Sequence, residues 1–368
     1  MNILIVGEFS GFAKHLKNGF KKLGHNVTIV MTPDSFKKFK GDRDDILYGY
    51  NVSLFGKPIR GTAMMLNPLR AMLIRKKLAQ KYRQNKPDVI IVINYYFITT
   101  SRYDSGTPLS FLKEQVERGS KLIMVCCGID PAYTYSYPDL LRQWGVCDMR
   151  GKLHDDRYSW LLQNSHVIIP MAVSYYEAVI NYANYEHYDT RKVLHSIPPP
   201  MTVDKEVEID TCIGRKIVVF HGIVRPREKG TPFIQEAMNR LKEEMPDKVE
   251  CICRGGMPYD EYIKLYKSVD ILVDQTYGRG FGMQSLIGAM KGKCVLVSNS
   301  EENVKDMGFK SAPFIHIGPD SEQIYKTLKE LILNPWRIDE IKKESRLFVE
   351  EHCECSVVAK RYLEAADL

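Results

Sequence analysis

The chain has 368 residues, 44% of them hydrophobic and 26% charged. That is ordinary globular composition; it excludes a disordered, collagenous or coiled-coil protein, and the length suggests two domains of roughly 100–200 residues. The 52 Lys and Arg outnumber the 45 Asp and Glu to give a net charge of +7, too small a surplus to point to nucleic acid. No apolar run is long enough to span a bilayer, and the opening MNILIVGEFSG lacks the basic region of a signal peptide.

The nine cysteines are Cys126, Cys127, Cys147, Cys212, Cys251, Cys253, Cys294, Cys353 and Cys355. None forms a C-x-x-C pair, so neither a disulfide framework nor a zinc ribbon is expected, and reduced thiols in a cytoplasmic protein are the simplest reading.

Residues 2–6 form an apolar run that enters the loop Gly7-Glu8-Phe9-Ser10-Gly11. Phe12, Leu16, Phe20 and Leu23 then recur at helical spacing, Gly24-His25 ends the helix, and 27–30 make a second strand. Strand, glycine loop, helix and strand in thirty residues spell a βαβ unit. Buried-strand runs at 89–93, 122–125 and 167–169 extend it into an α/β domain with a mainly parallel sheet.

Between them, 68–86 carries Arg70, Arg75, Lys76, Lys77, Lys81, Arg83 and Lys86 with no acid, and Ala71, Ile74, Leu78 and Tyr82 form an apolar stripe at helical spacing. The stripe either covers the sheet or lies on an anionic membrane; the basic face could equally meet an anionic polysaccharide.

At Ile197-Pro198-Pro199-Pro200 neither helix nor central strand can continue. The expected organisation is an N-terminal domain over 1–197, a linker over 198–213 and a C-terminal domain over 214–355. In the latter, strands are expected at 217–220, 249–253, 271–273 and 295–298, and helices at 231–244, 259–268 and 282–291, with mostly helix after 321. Two such domains would enclose a cleft beyond the carboxyl ends of their strands.

Five segments in this order resemble the GT-B nucleotide-sugar glycosyltransferases of the retaining family 4 type. NILIVGEFSGFAKHLKNGFKKLGHNVTIV is similar to their first βαβ unit, and SIPPPMTVD stands where their linker reads I-P-N-G-V-D. VVFHGIVRPREKGTPFIQEAM resembles the strand, basic loop and helix that open the donor domain. SVDILVDQTYGRGFGMQSLIGAMKGKCVLVS follows A-D-(x)-P-S-x-x-E-G-F-G-x-x-x-L-E-A-M-A-x-G-x-P-V without a gap. SVVAKRYLEAADL is similar to the terminal helix, which in that fold returns to the N-terminal domain over about 356–368.

The resemblance implies an α/β fold of two Rossmann-like domains facing each other, with donor binding in the C-terminal one. It assigns the diphosphate to Arg225 and Lys229, with Arg227 as a substitute. The helix starting near Gly282 supplies a second anion site, since its N-terminal N–H groups and dipole favour phosphate and glycine permits close approach at Gly280 and Gly282. Met283, Gln284 and Ser285 would donate through backbone N–H. Gly222 and Gly255 are placed beside the donor. The loop Gly255-Gly256-Met257-Pro258 resembles the one beside the nucleotide base, where Tyr259 or Tyr262 would either stack on the base or pack in the core. Gly7 and Gly11 shape the N-terminal glycine loop.

The motif departs from the family at its two glutamates, eight positions apart. Arg279 and Ile287 stand there, or Gly288 if the register shifts by one, and none of these accepts a hydrogen bond through its side chain as a carboxylate would. Three replacements compete: Glu301 or Glu302 from the next loop, Asp274-Gln275 from the preceding strand end, or Arg279 itself as a contact for phosphate or an acidic donor sugar. In the N-terminal domain Asp130 is either a base or orienter for the acceptor hydroxyl or the turn residue before Pro131. His154 and His166 are read as surface or core histidines.

The expected activity is transfer of a sugar from a nucleotide-diphosphate sugar to a lipid-linked or oligosaccharide acceptor, with retention, in capsule, O-antigen or related assembly. No metal and no cofactor is expected, the nucleotide sugar being co-substrate, and the protein is placed in the cytoplasm or on the inner face of its membrane. The alternatives are a non-catalytic GT-B protein that binds nucleotide sugar or scaffolds other enzymes, and a nucleotide-sugar epimerase.

Overall fold

A computed structural model describes residues 1–32, 41–48, 53–54, 57–59, 61–146, 153–204, 207–257, 261 and 264–368. The first half builds a sheet from β1 (Asn2–Val6), β2 (Asn26–Met31), β3 (Ile46–Leu47), β4 (Val89–Val92), β5 (Lys121–Cys126) and β6 (Val167–Pro170). Their order is β3-β2-β1-β4-β5-β6, and every pairing is parallel. This is the Rossmann order, whose direction of growth reverses between β1 and β4.

The second half repeats the plan with β7 (Ile217–Ile223), β8 (Val249–Gly255), β9 (Ile271–Val273), β10 (Cys294–Val297) and β11 (Ile315–His316). The order is β8-β7-β9-β10-β11, again all parallel, and it reverses between β7 and β9. Helices cover both faces of both sheets, which is why the strands read as unbroken apolar runs: Ile3 to Val6 and Val295 to Val297 are buried on either side. β7 runs three residues past its apolar stretch. His221 is hidden there because its two ring nitrogens meet the Val273 carbonyl at 2.8 Å and Thr231 Oγ1 at 2.9 Å, and burial lowers its pKa to about 4.

Local chemistry sets the helices. α1 (Phe12–Lys22) starts at Gly11, whose φ of 92° suits glycine, and the buried Glu8 carboxylate closes its first turn by accepting the N–H groups of Gly11 at 2.7 Å and Lys14 at 3.0 Å. α2 (Thr62–Met65) and α3 (Asn67–Tyr82) follow; in α3 Ala71, Ile74, Leu78 and Tyr82 are all buried and the last three pack with Leu4, Val30 and Ile90. The stripe therefore covers the sheet and is not the surface that meets solvent. The helix expected at 259–268 lies partly outside the described residues.

The chain crosses back at its end. α10 (Pro335–Phe348) packs on the second sheet, and α11 (Cys355–Ala365) packs on α1 in the first half. Gly19 makes that crossing possible, since a Cβ there would sit 1.9 Å from the Cys355 carbonyl oxygen. Lys22 Nζ and Glu354 Oε1, 2.6 Å apart, close the rim of the same contact.

Candidate active site

The carboxyl ends of the two sheets border one cleft of about 1100 Å³. From the first half it is lined by Phe9 and Ser10 after β1, Asn94 after β4, and Cys127 and Gly128 after β5. From the second it is lined by Gly222 to Arg225 around the end of β7, Gly255 to Met257 around the end of β8, and Asp274-Gln275 after β9. Both reversals of strand order thus open onto the same space, where open α/β sheets take ligands.

The two walls differ in chemistry. Phe9, Tyr96, Phe97, Tyr133, Trp144 and Tyr175 make the first wall aromatic. The second holds the charged side chains of the lining, Arg225, Glu228, Lys229, Arg254 and Asp274, among apolar residues such as Phe281 and Met283. Arg225 is 63% exposed and pairs with Glu228 at 2.8 Å on α6 (Pro226–Lys229); Arg254, at the end of β8, adds a second exposed cation. α8 (Met283–Met290) begins at Gly282 with no side-chain cap, and Gly282, Met283 and Gln284 all line the cleft. An uncapped helix N-terminus is an anion site.

Lys229, expected to hold the diphosphate, is more enclosed than Arg225. Its side chain is only 8% exposed and its ammonium donates to Asp274 Oδ1 at 2.5 Å and to Gln284 Oε1. Asp274 also accepts from Ser285 Oγ at 2.5 Å. Burial pushes the Asp274 pKa up, but the neighbouring ammonium and hydroxyl outweigh it and hold the carboxyl below its ordinary value. Ser285 is fully buried, so its hydroxyl serves this network. Gln284 Nε2 is left without an acceptor, and so is Trp144 Nε1 on the opposite wall.

The glycines divide by cause. A Cβ on Gly282 would meet nothing within 4 Å, which leaves its backbone open to the cleft. A Cβ on Gly280 would fall 2.9 Å from that of Ala172, and one on Gly255 would fall 2.5 Å from the Ile223 carbonyl oxygen. Those two are glycine for packing, the first between the halves and the second within the sheet. Gly7, with φ of 101°, lies under the Phe97 ring and, like Gly11, is not among the residues lining the cleft.

Several expected site residues stand elsewhere. Asp130 is the N-cap of α4 (Pro131–Ser136): its Oδ1 accepts the Tyr133 N–H at 2.8 Å, burial raises its pKa to about 7, and it does not line the cleft. This is the geometry of the turn residue, the second of the two expected roles. Arg227 lies against Gly145, away from the lining. Glu301 and Glu302 open α9 (Glu301–Asp306), exposed to solvent and outside the lining of the cleft. Asp274-Gln275 alone of the three replacements reaches the cleft.

Arg279 has φ of 55° and pairs with Glu177 on α5 (Val173–Tyr185), which also accepts from Tyr137 Oη at 3.0 Å. It lines a separate cavity of about 470 Å³, whereas Ile287 lines the main cleft. Cys147, Pro258, Tyr259 and Tyr262 lie outside the described residues.

Sequence reasoning missed Arg254, Glu228, Asn94 and Trp144. Arg254 directly precedes the noted Gly255-Gly256 and Glu228 stands between Arg227 and Lys229, both usable signals; Asn94 and Trp144 reach the cleft only through tertiary placement. Among the described residues no group of three or more His, Cys, Asp or Glu is placed to hold a metal.

No protein-family model matches the chain, and no curated protein matches it in sequence. Solved structures do match over the full length. Sucrose-phosphate synthase from Thermosynechococcus elongatus superposes with a TM-score of 0.62 at 12% identity, covering 99% of this chain and 97% of that one. HepE from Anabaena, in complex with UDP and glucose, gives 0.62 at 11%, covering 100% and 99%. WaaG, described as a glycosyltransferase involved in lipopolysaccharide biosynthesis, gives 0.60 at 9%, covering 99% of each. The chain has the GT-B fold, two Rossmann-like domains across a cleft.

Proposed function

We propose that the protein is a glycosyltransferase that takes a sugar from a nucleotide-diphosphate sugar and passes it to a lipid-linked or oligosaccharide acceptor. The observation that carries this reading is the asymmetry of the cleft. One wall offers cations, an uncapped helix N-terminus and an unpaired amide donor, which suit a diphosphate leaving group whose developing charge must be stabilised. The other offers aromatic faces, which suit a ligand with both apolar faces and hydroxyls. In this reading Arg225 and the α8 N-terminus hold the diphosphate, Asp274 and Lys229 position Gln284 beneath it, and no metal is required. Retention and a place in bacterial surface-glycan assembly follow from the family resemblance, with HepE holding UDP and glucose and WaaG acting in lipopolysaccharide biosynthesis as the supporting comparisons.

The test is thermal stabilisation by UDP, GDP, ADP and their sugars. A ligand at a hundredfold excess over its Kd adds about 2.7 kcal/mol to native stability. One nucleotide class should raise the midpoint, and Arg225→Ala should weaken its binding about 10- to 100-fold, the worth of a charged hydrogen bond. Failure of every nucleotide would defeat the reading. The absence of both motif glutamates favours a second reading, a non-catalytic nucleotide-sugar binder; binding without transfer or release of sugar would establish it. Free nucleotide with an altered sugar and no acceptor would instead mark an epimerase.

A further inference from the structure

Helices α2 and α3 carry a second apolar set that the sheet does not use. Met64 and Met65 are 81% and 79% exposed, and Leu69, Met72 and Leu73 are exposed by half or more of their surface or close to it. Leu69, Met72 and Leu73 fall three and four residues apart on one face of α3. Soluble surfaces rarely gather large side chains in this way without a use for them. The same segment carries Lys76, Lys77, Lys81 and Arg83, all exposed, and there is no Asp or Glu from 61 to 86.

We propose that this face docks on an anionic lipid bilayer. Apolar side chains flanked by unopposed cations match an interface whose interior is hydrocarbon and whose surface is negative. A second copy of the chain matches less well, because a two-fold contact over this face would set the same lysines against one another. The face is tied to the cleft. Asn67 Oδ1 at the start of α3 accepts from Ser105 Oγ at 2.9 Å, and Ser105 lines the cleft; Arg75 donates to the carbonyl oxygens of Ser101 at 2.8 Å and Arg102 at 3.1 Å. Docking through α2 and α3 therefore sets the aromatic wall next to the lipid surface. Docking itself stands without the glycosyltransferase reading; only the inference that a lipid carries the acceptor rests on it.

Co-sedimentation with phosphatidylcholine vesicles, with and without phosphatidylglycerol, tests the proposal on the full chain. The protein should bind the anionic vesicles, less so as salt rises, and hardly bind the neutral ones. Lys76→Gln/Lys77→Gln/Lys81→Gln should lower partitioning about a hundredfold, at about 1 kcal/mol per lysine near the surface. Met64→Ser/Met65→Ser/Met72→Ser should lower it while leaving the charge unchanged. These side chains are exposed, so unchanged melting midpoints and unchanged nucleotide-induced stabilisation in both variants separate a docking defect from misfolding and from failure of the donor site. Absence of binding to anionic vesicles, or equal binding to both kinds, would overturn the proposal. So would a concentration-dependent dimer abolished by the methionine variant, which would give the face to a second copy.

Discussion

Lys229 and Asp274 are a nearly buried pair at the edge of the cleft, and the ammonium holds the carboxylate charged. Removing one partner of such a pair strands the other. Lys229→Met or Asp274→Asn alone should therefore destabilise by about 3–5 kcal/mol, while the double variant recovers much of the loss. Urea unfolding of the three variants checks this, and independent, additive losses would refute the pairing. The same logic makes Arg225, exposed and paired with Glu228, the cleaner probe of nucleotide binding. Asp130 gives a second expectation with a definite sign. Its folded pKa of about 7 lies above the unfolded value, so between about pH 4 and 7 the native state holds a proton that the unfolded chain has lost. Its contribution to stability falls as pH rises through that window. Asp130→Asn should match the parent near pH 4 and exceed it near pH 8 in denaturant melts, and should keep its activity. Loss of a general base would instead lower the rate by about 10²–10⁴.

At the scale of elements, α1 and α11 cross at a point where only hydrogen fits. Gly19→Leu should push α11 off α1 and lower stability by at least the 1–3 kcal/mol typical of overpacking; a midpoint unchanged from the parent's would mean the helices can part without loss. Helices such as this were legible because periodicity and stop signals coincide. α7 (Thr231–Glu244) was bounded to the residue, since Gly230 and Pro232 fix its start. The stripe of α3 was legible as a face, but the second apolar set of Leu69, Met72 and Leu73 was not, because it lies among the cations of the other face. The glycine motif before α8 was legible in position, yet spacing could not separate Gly282, open to the cleft, from Gly280, pressed on Ala172. The pairing of Lys229 with Asp274 was hidden for a different reason: the two meet only because β7 and β9 are neighbours in the sheet.

Across the whole molecule, the two halves meet in apolar packing, with Gly280 pressed on Ala172 and α11 on α1, and in scattered polar contacts. Arg279 pairs with Glu177, Ser174 Oγ donates to the Gly278 carbonyl at 3.0 Å, and the Val173 N–H donates to Asn303 Oδ1 at 3.0 Å. Arg279 and Glu177 are about 40% exposed, so their pair is worth about 0–1 kcal/mol. Its partner 102 residues upstream could not be read from the motif position alone. The return of α11 packs the end of the second half onto the first. That return also has a temporal side. During synthesis α1 leaves the ribosome among the first elements, but the helix that covers it comes after more than three hundred further residues. At 5–20 residues per second the apolar groove beside Gly19 stays open to solvent and chaperones for roughly 20–70 s, so the first half is committed to wait, unfinished, for the last.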